Sequence, residues 1–172
     1  MPDLSRFRPG RVWVSGDSIT SNQIAGGGRN APNDPASLRA SCLQSVRPEF
    51  GANVQDGDIL VAGTNFGNGS SSPGGITALQ ACGLQAILAE SVSRLMMRTC
   101  IARGLPAFNV PGITALVADG DEVEIDYAAG VVRALKSGGE VALRRFPASV
   151  ERIYSVGGIS QLIAERLREE GI

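Results

Sequence analysis

The sequence contains no histidine, the side chain that most often acts as a general base or metal ligand near neutral pH. A serine–histidine–aspartate triad is therefore impossible within the chain. The cysteines, Cys42, Cys82 and Cys100, are far apart and form no CxxC pair. Neither a disulfide framework nor a self-contained zinc or iron–sulfur site is expected, and no metal ligand is assigned to this chain. Hydroxyl groups, carboxylates, lysine or arginine must carry any chemistry, or another chain must supply the missing groups.

Strong charge and long apolar runs are also lacking. A net charge of −1 over 172 residues argues against nucleic acid or an anionic membrane as a partner. No run approaches the roughly 18 apolar residues of a membrane span, and the first ten residues, MPDLSRFRPG, lack the apolar segment of a signal peptide. We therefore expect a cytoplasmic protein. The length predicts a single domain, residues 1–172, that folds without metal or disulfide.

The order of apolar and polar segments predicts an α/β fold with a mixed sheet, because strands and helices alternate through the middle of the chain and a hairpin follows. The predicted strands are 10–15, 58–62, 86–89, 107–110, 121–127, 131–135 and 141–145. The predicted helices are 36–46, 75–82, 91–103 and 159–170. Two segments, 16–24 and 25–35, are predicted as loops, the second because it is rich in glycine, proline and asparagine.

The most informative segment is 65–75, NFGNGSSSPGG, which follows an apolar run and precedes a helical pattern. A strand that leads through a glycine-rich turn into a helix exposes backbone N–H groups, and the helix dipole adds to their attraction for a carboxylate or phosphate. Three hydroxyl groups, those of Ser70, Ser71 and Ser72, lie in this turn. The same residues also suit a simple helix N-cap in a flexible loop.

The motifs, taken together, resemble those of the 3-isopropylmalate dehydratase small subunits and, more broadly, the swivelling domain of the aconitase superfamily. The blocks that carry the resemblance are GRVWVSGDSITSNQI (10–24), GDILVAGTNFGNGSSSPGG (57–75), ESVSRLMMRTCIARGLP (90–106), DGDEVEID (119–126) and SVGGISQLI (155–163). They follow one another in the family's order over nearly the whole chain. The resemblance implies a single swivelling β/β/α domain of the aconitase C-terminal type, with a mixed sheet and flanking helices.

The resemblance also implies a division of labour between two chains. A large subunit would hold a 4Fe–4S cluster that acts on a small hydroxy-carboxylic acid, and this chain would supply a serine general base and be inactive alone. Ser70 matches the catalytic serine, and Ser71 matches a neighbouring substrate-binding serine. Gly67 and Gly69 match the glycines that let the backbone approach a carboxylate. Asp17 matches the aspartate of the first motif.

Several positions depart from the family pattern. The departures are Asn68 for a cysteine, Ser72 for an arginine, Pro73 and Gly74 for a glutamate and a histidine, and Thr20-Ser21-Asn22 for the sequence DTD. The lost arginine would have clamped a substrate carboxylate through two charge-assisted hydrogen bonds. The substrate is therefore expected to differ from isopropylmalate.

These departures leave three possibilities open. Another basic residue, Arg29 in the glycine-rich loop or Arg98 after Ser91, replaces the lost arginine, although either arginine also fits a surface charge. The chain has instead lost catalysis and is a carboxylate-binding or regulatory paralogue, or it is a free-standing anion-binding domain. The candidate site residues are Ser70 as the catalytic residue, and Asp17, Arg29, Gly67, Gly69, Ser71 and Ser72 as substrate-binding residues.

Overall fold

The computed structural model describes residues 4, 7–26, 34–69 and 73–171. Within those residues the chain forms seven strands in one sheet and eight helices. The strands are β1 (Gly10–Val14), β2 (Ile59–Ala62), β3 (Ala86–Ala89), β4 (Ala107–Asn109), β5 (Glu122–Asp126), β6 (Val131–Ala134) and β7 (Glu140–Ala142). The helices are α1 (Ser21–Ala25), α2 (Pro35–Ser41), α3 (Phe50–Asn53), α4 (Pro73–Ala81), α5 (Arg94–Arg103), α6 (Ile113–Leu116), α7 (Ala148–Val156) and α8 (Ile159–Glu169).

The sheet has the strand order β4-β3-β2-β1-β5-β6-β7 and two different halves. Strands β1 to β4 are parallel, whereas β5 to β7 are antiparallel. Strand β1 belongs to both halves, because Val12 pairs with Ile59 of β2 in parallel register and Gly10 pairs with Val123 of β5 in antiparallel register. This mixed sheet with flanking helices confirms the predicted α/β fold.

The parallel half is buried on both faces. Every residue of β2 and β3 is buried, and alternate residues enter two separate apolar cores. Leu60 and Ile87 enter the core that α1, α2, α4 and α5 cover, whereas Ile59 and Leu88 enter the core that contains residues of α6, α7 and the antiparallel strands. Continuous apolar runs are typical of parallel strands covered on both sides, which explains why both strands were recognisable in the sequence.

The antiparallel half has one buried and one wet face. In β5, Val123 and Ile125 are buried while Glu122 is exposed and Glu124 half-buried. Arg133 of β6 spans the wet face, donating to Glu124 Oε2 at 2.8 Å and Glu140 Oε1 at 2.6 Å. The predicted hairpin of β5 and β6 is confirmed by their antiparallel register.

The two outer edges of the sheet approach each other through aromatic side chains. Phe108 of β4 stacks on Phe146, which follows β7, with ring centroids 5.0 Å apart. Phe146 also contacts Tyr154 of α7, with ring centroids 5.3 Å apart. The sheet is therefore curled, and the segment after β7 lies beside β4.

The structure corrects the predicted loop at 16–24, which contains α1. Thr20 and Gln23 form a capping box, in which the Gln23 N–H donates to Thr20 Oγ1 at 3.2 Å and the Thr20 N–H donates to Gln23 Oε1 at 2.8 Å. The sequence therefore held an N-terminal helix signal that its polar composition obscured. Of the predicted loop at 25–35, the ends belong to α1 and α2, and residues 27–33 lie outside the described part of the chain.

Other boundaries also differ from the predictions. The helix predicted at 36–46 ends at Ser41, because Cys42 is extended and Leu43 has a positive φ of 56°. The helix predicted from residue 91 begins at Arg94, after Ser93 caps it, and ends as expected at Gly104. The strand predicted at 141–145 is β7, three residues that pair with β6. Three helices, α3, α6 and α7, were not predicted. Among the residues described, no helix is long and apolar enough to cross a membrane.

Candidate active site

The carboxyl ends of β1 to β4 meet at one edge of the sheet, where α/β proteins commonly bind ligands. The loop after β2, residues 63–69, lies between the loops that follow β1 and β3. Two isolated parallel bridges, Thr20 with Asn68 and Phe66 with Val92, attach it to these neighbours. We call residues 63–69 the central loop. These bridges continue the parallel pairing of the strands into the central loop.

Asp17 organises the start of the central loop. Its Oδ1 atom accepts hydrogen bonds from Thr64 N at 2.6 Å and from Thr64 Oγ1 at 3.0 Å. The backbone adds a bond from Ser18 N to Thr64 O at 2.8 Å. Gly63 is required here, because a Cβ atom would lie 2.0 Å from Asp17 Oδ1. The carboxylate therefore fixes the backbone just before the glycine-rich turn.

The backbone of the turn itself is anchored on both sides. Gly67 N donates to Ile19 O at 2.7 Å, and Ser21 N donates to Asn68 O at 3.0 Å. The hydroxyl of Ser93 donates to Gly67 O at 2.7 Å and also accepts from Met96 N at 3.4 Å, so that one side chain both caps α5 and holds the turn.

Two glycines of the turn adopt left-handed conformations, with φ of 73° at Gly67 and 91° at Gly69. A Cβ atom on Gly67 would lie 2.4 Å from Met96 Cγ, so the turn packs too closely on α5 for any side chain. At Gly69 the nearest atom to a Cβ would be Ser21 Oγ at 4.0 Å. Among the described residues, no other atom lies within 4 Å of that position.

Glu90 supports the site from the end of β3. It accepts hydrogen bonds from Gly112 N at 2.7 Å, Thr114 N at 2.9 Å and Thr114 Oγ1 at 2.6 Å. Partial burial raises the pKa of Glu90, but the bonds from Thr114 and Gly112 outweigh it and the net pKa lies below the ordinary value. Glu90 is therefore a structural carboxylate that joins the ends of β3 and β4 and remains ionised at neutral pH.

Helix α4 follows the central loop and begins at Pro73. It has no acidic residue in its first turn, so nothing there neutralises the positive end of its dipole. Gly75 allows it to pack on α1, since a Cβ would lie 3.1 Å from Ser21 O.

Three of the predicted site residues, Asp17, Gly67 and Gly69, are brought together at this edge. The other predicted residues, Arg29, Ser70, Ser71 and Ser72, lie outside the described residues. Arg98 is exposed on α5. Sequence reasoning missed three polar side chains: Glu90, Ser93, and Asn109, whose Oδ1 atom accepts from Val92 N at 2.7 Å. Their positions at or just after the ends of predicted parallel strands were the available signal.

The described side chains do not fit an iron–sulfur cluster. No group of three or more histidine, cysteine, aspartate or glutamate residues is placed to hold a metal ion within this part of the chain. Cluster ligands are thiolates, whereas Cys42, Cys82 and Cys100 are buried. The hydrogen bond that the Cys42 thiol donates to Cys82, together with burial, raises the pKa of Cys42, whereas the same bond lowers the pKa of Cys82. Burial raises the pKa of Cys100 to about 12.

Comparison with known proteins identifies the class. Residues 43–111, which include β2, β3, β4 and the central loop, match the model of the aconitase C-terminal domain. The crystal structure of 3-isopropylmalate dehydratase (LeuD) from Methanocaldococcus jannaschii superimposes with a TM-score of 0.88 and 28% identity, over 95% of this chain and 96% of that one. The fold is that of an aconitase-type C-terminal domain.

Two curated relatives identify the family within this class of proteins. The 3-isopropylmalate dehydratase small subunit 1 of Methanopyrus kandleri is 37% identical over 154 residues, 90% of this chain and 91% of the relative. The small subunit of Aquifex aeolicus is 35% identical over 163 residues, 94% and 96% of the two chains. The chain belongs to the 3-isopropylmalate dehydratase small-subunit family. The predicted resemblance, and with it the prediction of a hydro-lyase subunit, is confirmed at the level of the family.

Proposed function

We propose that this chain is the small subunit of a heteromeric hydro-lyase that dehydrates, and through rehydration isomerises, a small hydroxy-carboxylic acid of the isopropylmalate type. The relatives named as dehydratase small subunits support this assignment over 90% and 94% of the chain. The observation that carries it is the central loop, whose glycines are anchored beside Asp17 at the carboxyl edge and lead directly into Ser70.

Ser70 is proposed as the general base. Its deprotonated oxygen takes the proton from the carbon next to a substrate carboxylate, and the electron pair of that C–H bond forms a carbon–carbon double bond. The hydroxyl group on the neighbouring carbon leaves as hydroxide with its bonding electrons. Release of the abstracted proton from Ser70 restores the base, and that proton and the hydroxide together make water, so the net products are an alkene and water. Addition of water with the opposite orientation completes an isomerisation.

The substrate carboxylate is proposed to bind at the turn. The positive end of α4 carries no acidic residue in its first turn, and the described residues leave space beside Gly69. Both features favour an anion. Ser71 and Ser72 are proposed to contact the substrate there, with Asp17 holding the loop in place. Such contacts would orient the C–H bond next to the substrate carboxylate toward Ser70.

The substrate is proposed to differ from isopropylmalate because Ser72 occupies the position of the family's arginine. A charge-assisted hydrogen bond contributes about 1.5–3 kcal/mol, so loss of an arginine fork changes which carboxylates bind. Arg29 remains a candidate replacement from the sequence. The 4Fe–4S cluster is proposed to belong to the large subunit, because the described side chains offer no ligand set.

We also propose that residues 1–172 form one swivelling domain and that the protein acts in the cytoplasm. The single sheet, with apolar cores on both faces, supports the first proposal. The second rests on the composition of the chain.

A second candidate function is a non-catalytic carboxylate-binding or regulatory paralogue. The observation that favours it is that Asn68, one of the residues that depart from the family motif, makes hydrogen bonds to backbone carbonyls. Asn68, which replaces the motif cysteine, turns its amide inward to Ser18 O at 3.2 Å and Asn65 O at 3.3 Å. This side chain stabilises the loop rather than facing a ligand.

The test is anaerobic co-purification of this chain with a co-expressed large subunit. Alkene formation is then followed by absorbance over a panel of 2- and 3-hydroxy acids. We expect turnover by the complex and a loss of at least about 10³-fold in kcat for Ser70→Ala, as for removal of a general base. Ser160→Ala, an exposed serine of α8, is the matched control.

Two results would contradict the proposal. A stable, cluster-loaded complex that turns over no acid, with ligand binding unaffected by Ser70→Ala, would establish the non-catalytic paralogue. Turnover by this chain alone, without metal, would remove the need for a large subunit.

A further inference from the structure

Hydrogen bonds attach the central loop to the short segment between β3 and α5. Phe66 N donates to Ser91 O at 2.9 Å, and Ser93 N donates to Phe66 O at 2.8 Å. Asn65 N donates to Ser91 Oγ at 2.8 Å, and Ser93 Oγ donates to Gly67 O at 2.7 Å. The last two bonds use serine hydroxyls, so a substitution can remove either one and leave the backbone pairing in place.

The hydroxyl of Ser93 is placed for the turn more than for the helix cap. Its bond to Gly67 O, at 2.7 Å, has the preferred length of an O–H···O hydrogen bond. The bond that it accepts from Met96 N is 3.4 Å, longer than the roughly 2.7–3.2 Å that is usual for an N–H donor. Gly67 is also buried, so its carbonyl oxygen needs a protein donor. The bond to Gly67 is therefore the stronger of the two.

Gly67 is a point at which the chain could easily change direction. It has a φ of 73°, and glycine restricts its own backbone less than any other residue. Among the residues that the structure describes, Ser93 is the only hydrogen-bond donor to Gly67 O. This oxygen and the N–H of Asn68 belong to one peptide group. A bond that holds the oxygen thus sets the direction in which the chain continues to Gly69 and, next in sequence, Ser70.

The opposite side of the turn is held by backbone groups. Gly67 N donates to Ile19 O, and Ser21 N donates to Asn68 O. Neither bond depends on a side chain, so both persist when Ser93 is substituted. The Ser93 hydroxyl is therefore the group through which the position of the turn can be altered from the side of α5.

We propose that Ser93 is a positioning residue for Ser70, because its hydroxyl sets the orientation of the peptide group that leads from Gly67 toward the base. The inference rests on the proposed function and deepens it. It assigns a role in the reaction to a residue outside the glycine-rich motif, which acts through the loop rather than by contact with the substrate. A displacement of about 1 Å at a reacting group can cost about 100-fold in rate, so one hydrogen bond to a glycine peptide is sufficient for a large effect.

The experiment compares the two-subunit complex containing wild-type chain, Ser93→Ala, Ser93→Thr or Ser93→Asp. Threonine keeps both functions of the hydroxyl, and alanine loses both. Aspartate accepts from Met96 N as a helix cap but, when ionised, cannot donate to Gly67 O. Alkene formation is measured over the panel of 2- and 3-hydroxy acids, and kcat is expressed per folded, cluster-loaded complex.

We expect Ser93→Ala and Ser93→Asp to lower kcat at least about 10-fold, and by more than they raise KM, because the base is displaced in the reacting complex. Ser93→Thr should stay within about 3-fold of wild type, since the donor is restored. A loss in Ser93→Ala as well as in Ser93→Asp excludes the added charge as its cause.

Ala102→Gly is the matched control for the stability of α5. It weakens the same helix near its other end, and Ala102 has no contact with the turn among the residues described. Its kcat per folded complex should lie within about 2-fold of wild type. An equal fall of kcat in Ala102→Gly and Ser93→Ala would mean that Ser93 only stabilises the helix, and the inference would be wrong.

Amide hydrogen exchange, followed by mass spectrometry on peptides covering residues 63–69, measures the hold on the turn without any turnover. Exchange should be faster in Ser93→Ala and Ser93→Asp than in wild type, and unchanged in Ser93→Thr and Ala102→Gly. Unchanged exchange in all four variants would overturn the inference.

The outcomes separate this inference from the proposed function. Wild-type kcat in Ser93→Asp, or a raised KM at unchanged kcat, removes the positioning role of Ser93. If Ser70→Ala still abolishes turnover in that case, the hydro-lyase assignment remains. No turnover by any complex, together with faster exchange in Ser93→Ala and Ser93→Asp, contradicts the hydro-lyase and supports the hold of Ser93 on the turn.

Discussion

The parallel and antiparallel halves of the sheet are built from different sequence patterns and do different work. In the parallel half, successive residues of β2 and β3 are buried in two opposite cores, and the strand ends converge on one edge. In the antiparallel half, alternate residues face solvent and pair with one another across the strands. The central loop follows β2 and therefore belongs to the parallel half. Its glycine-rich turn is thus supported by strands that are buried on both faces.

The two halves are joined at β1 by a cluster of charged and backbone groups. Arg47 donates to Val14 O at 2.6 Å and to Asp119 Oδ1 at 2.7 Å, while Val14 N donates to the same carboxylate oxygen at 2.7 Å. Arg47 also lies over the ring of Trp13, 5.2 Å from its centre. Strand β5 pairs with β1 only at Gly10 and Arg11. Further along β1, the carboxylate of Asp119 accepts the hydrogen bond from the backbone N–H of Val14 instead.

The sharpest contrast between the halves is expected from alanine substitutions at adjacent positions. Ile87→Ala and Leu88→Ala in β3 should each lower the free energy of unfolding by about 2–5 kcal/mol, because both remove fully buried side chains. In β5 we expect only one of two adjacent substitutions to have a large effect. Ile125→Ala should lower the free energy of unfolding by about 2–5 kcal/mol. Glu124→Ala should lower it by no more than about 0.5 kcal/mol, as for exposed ion pairs. Urea denaturation measures each value.

A small loss for either β3 variant would show that one face of the parallel half is not packed. A loss at Glu124 as large as that at Ile125 would mean that the wet face of the antiparallel half stabilises the fold as strongly as its core does.

A smaller effect is expected from Gly67→Ala in the central loop. The substitution combines a positive φ of 73° with a contact of 2.4 Å to Met96 Cγ, so unfolding should become easier by about 2–4 kcal/mol. Gly120→Ala is the matched control in the turn before β5, since its φ is 83° but no atom lies within 4 Å of the added Cβ. It should cost about 1–2 kcal/mol from backbone strain alone.

Equal losses for the two glycine variants, measured by thermal and urea unfolding, would mean that the turn does not pack tightly on α5. The contrast between a site-bearing loop and an ordinary turn would then disappear.

The smallest effect concerns pH and the junction of the halves. The hydrogen bond from Arg47 is the main cause that lowers the pKa of Asp119, against partial burial that raises it. Because the folded pKa is below the ordinary value of 3.8, the stabilisation is complete above that value and is lost as the pH falls through the folded pKa. Asp119→Asn should flatten stability against pH below about pH 4, by less than about 1 kcal/mol since the side chain is 49% exposed.

The measurement is urea denaturation between pH 2 and 6 at low and high salt. Glu169→Gln on α8, which has no ion pair among the described residues, provides the control. An Asp119→Asn profile that parallels the wild-type profile would show that this carboxylate does not join the halves.

Much of the fold was predictable because burial on both faces leaves a strong record in the sequence. The runs ILVA of β2 and AILA of β3 are apolar throughout and bounded by polar residues or glycine. The helices α1 and α6 were missed because five and four residues are too few for a helical period. Helix α7 was missed because its first turn, Ala-Ser-Val-Glu, has no capping side chain to mark its start.

The sequence predicted the candidate site residues that belong to a contiguous motif. It did not predict those that come together only through the tertiary structure. Asp17, Gly67 and Gly69 stand in contiguous motifs. Glu90 and Asn109 are single polar residues whose importance depends on which strands end beside each other. Phe146 lies beside β4 only because the sheet curls and places the segment after β7 next to that strand, and nothing in local sequence encodes that proximity.

The outermost strands of the sheet, β4 and β7, are also its shortest, with three residues each. An unpaired strand edge offers a row of backbone donors and acceptors on which another copy can add a strand, and brevity limits how far such a ladder extends. Here the curl also turns the two edges toward each other, with Phe108 stacked on Phe146 across the gap. The curl of the sheet thus also limits the exposure of its two edges to edge-to-edge aggregation.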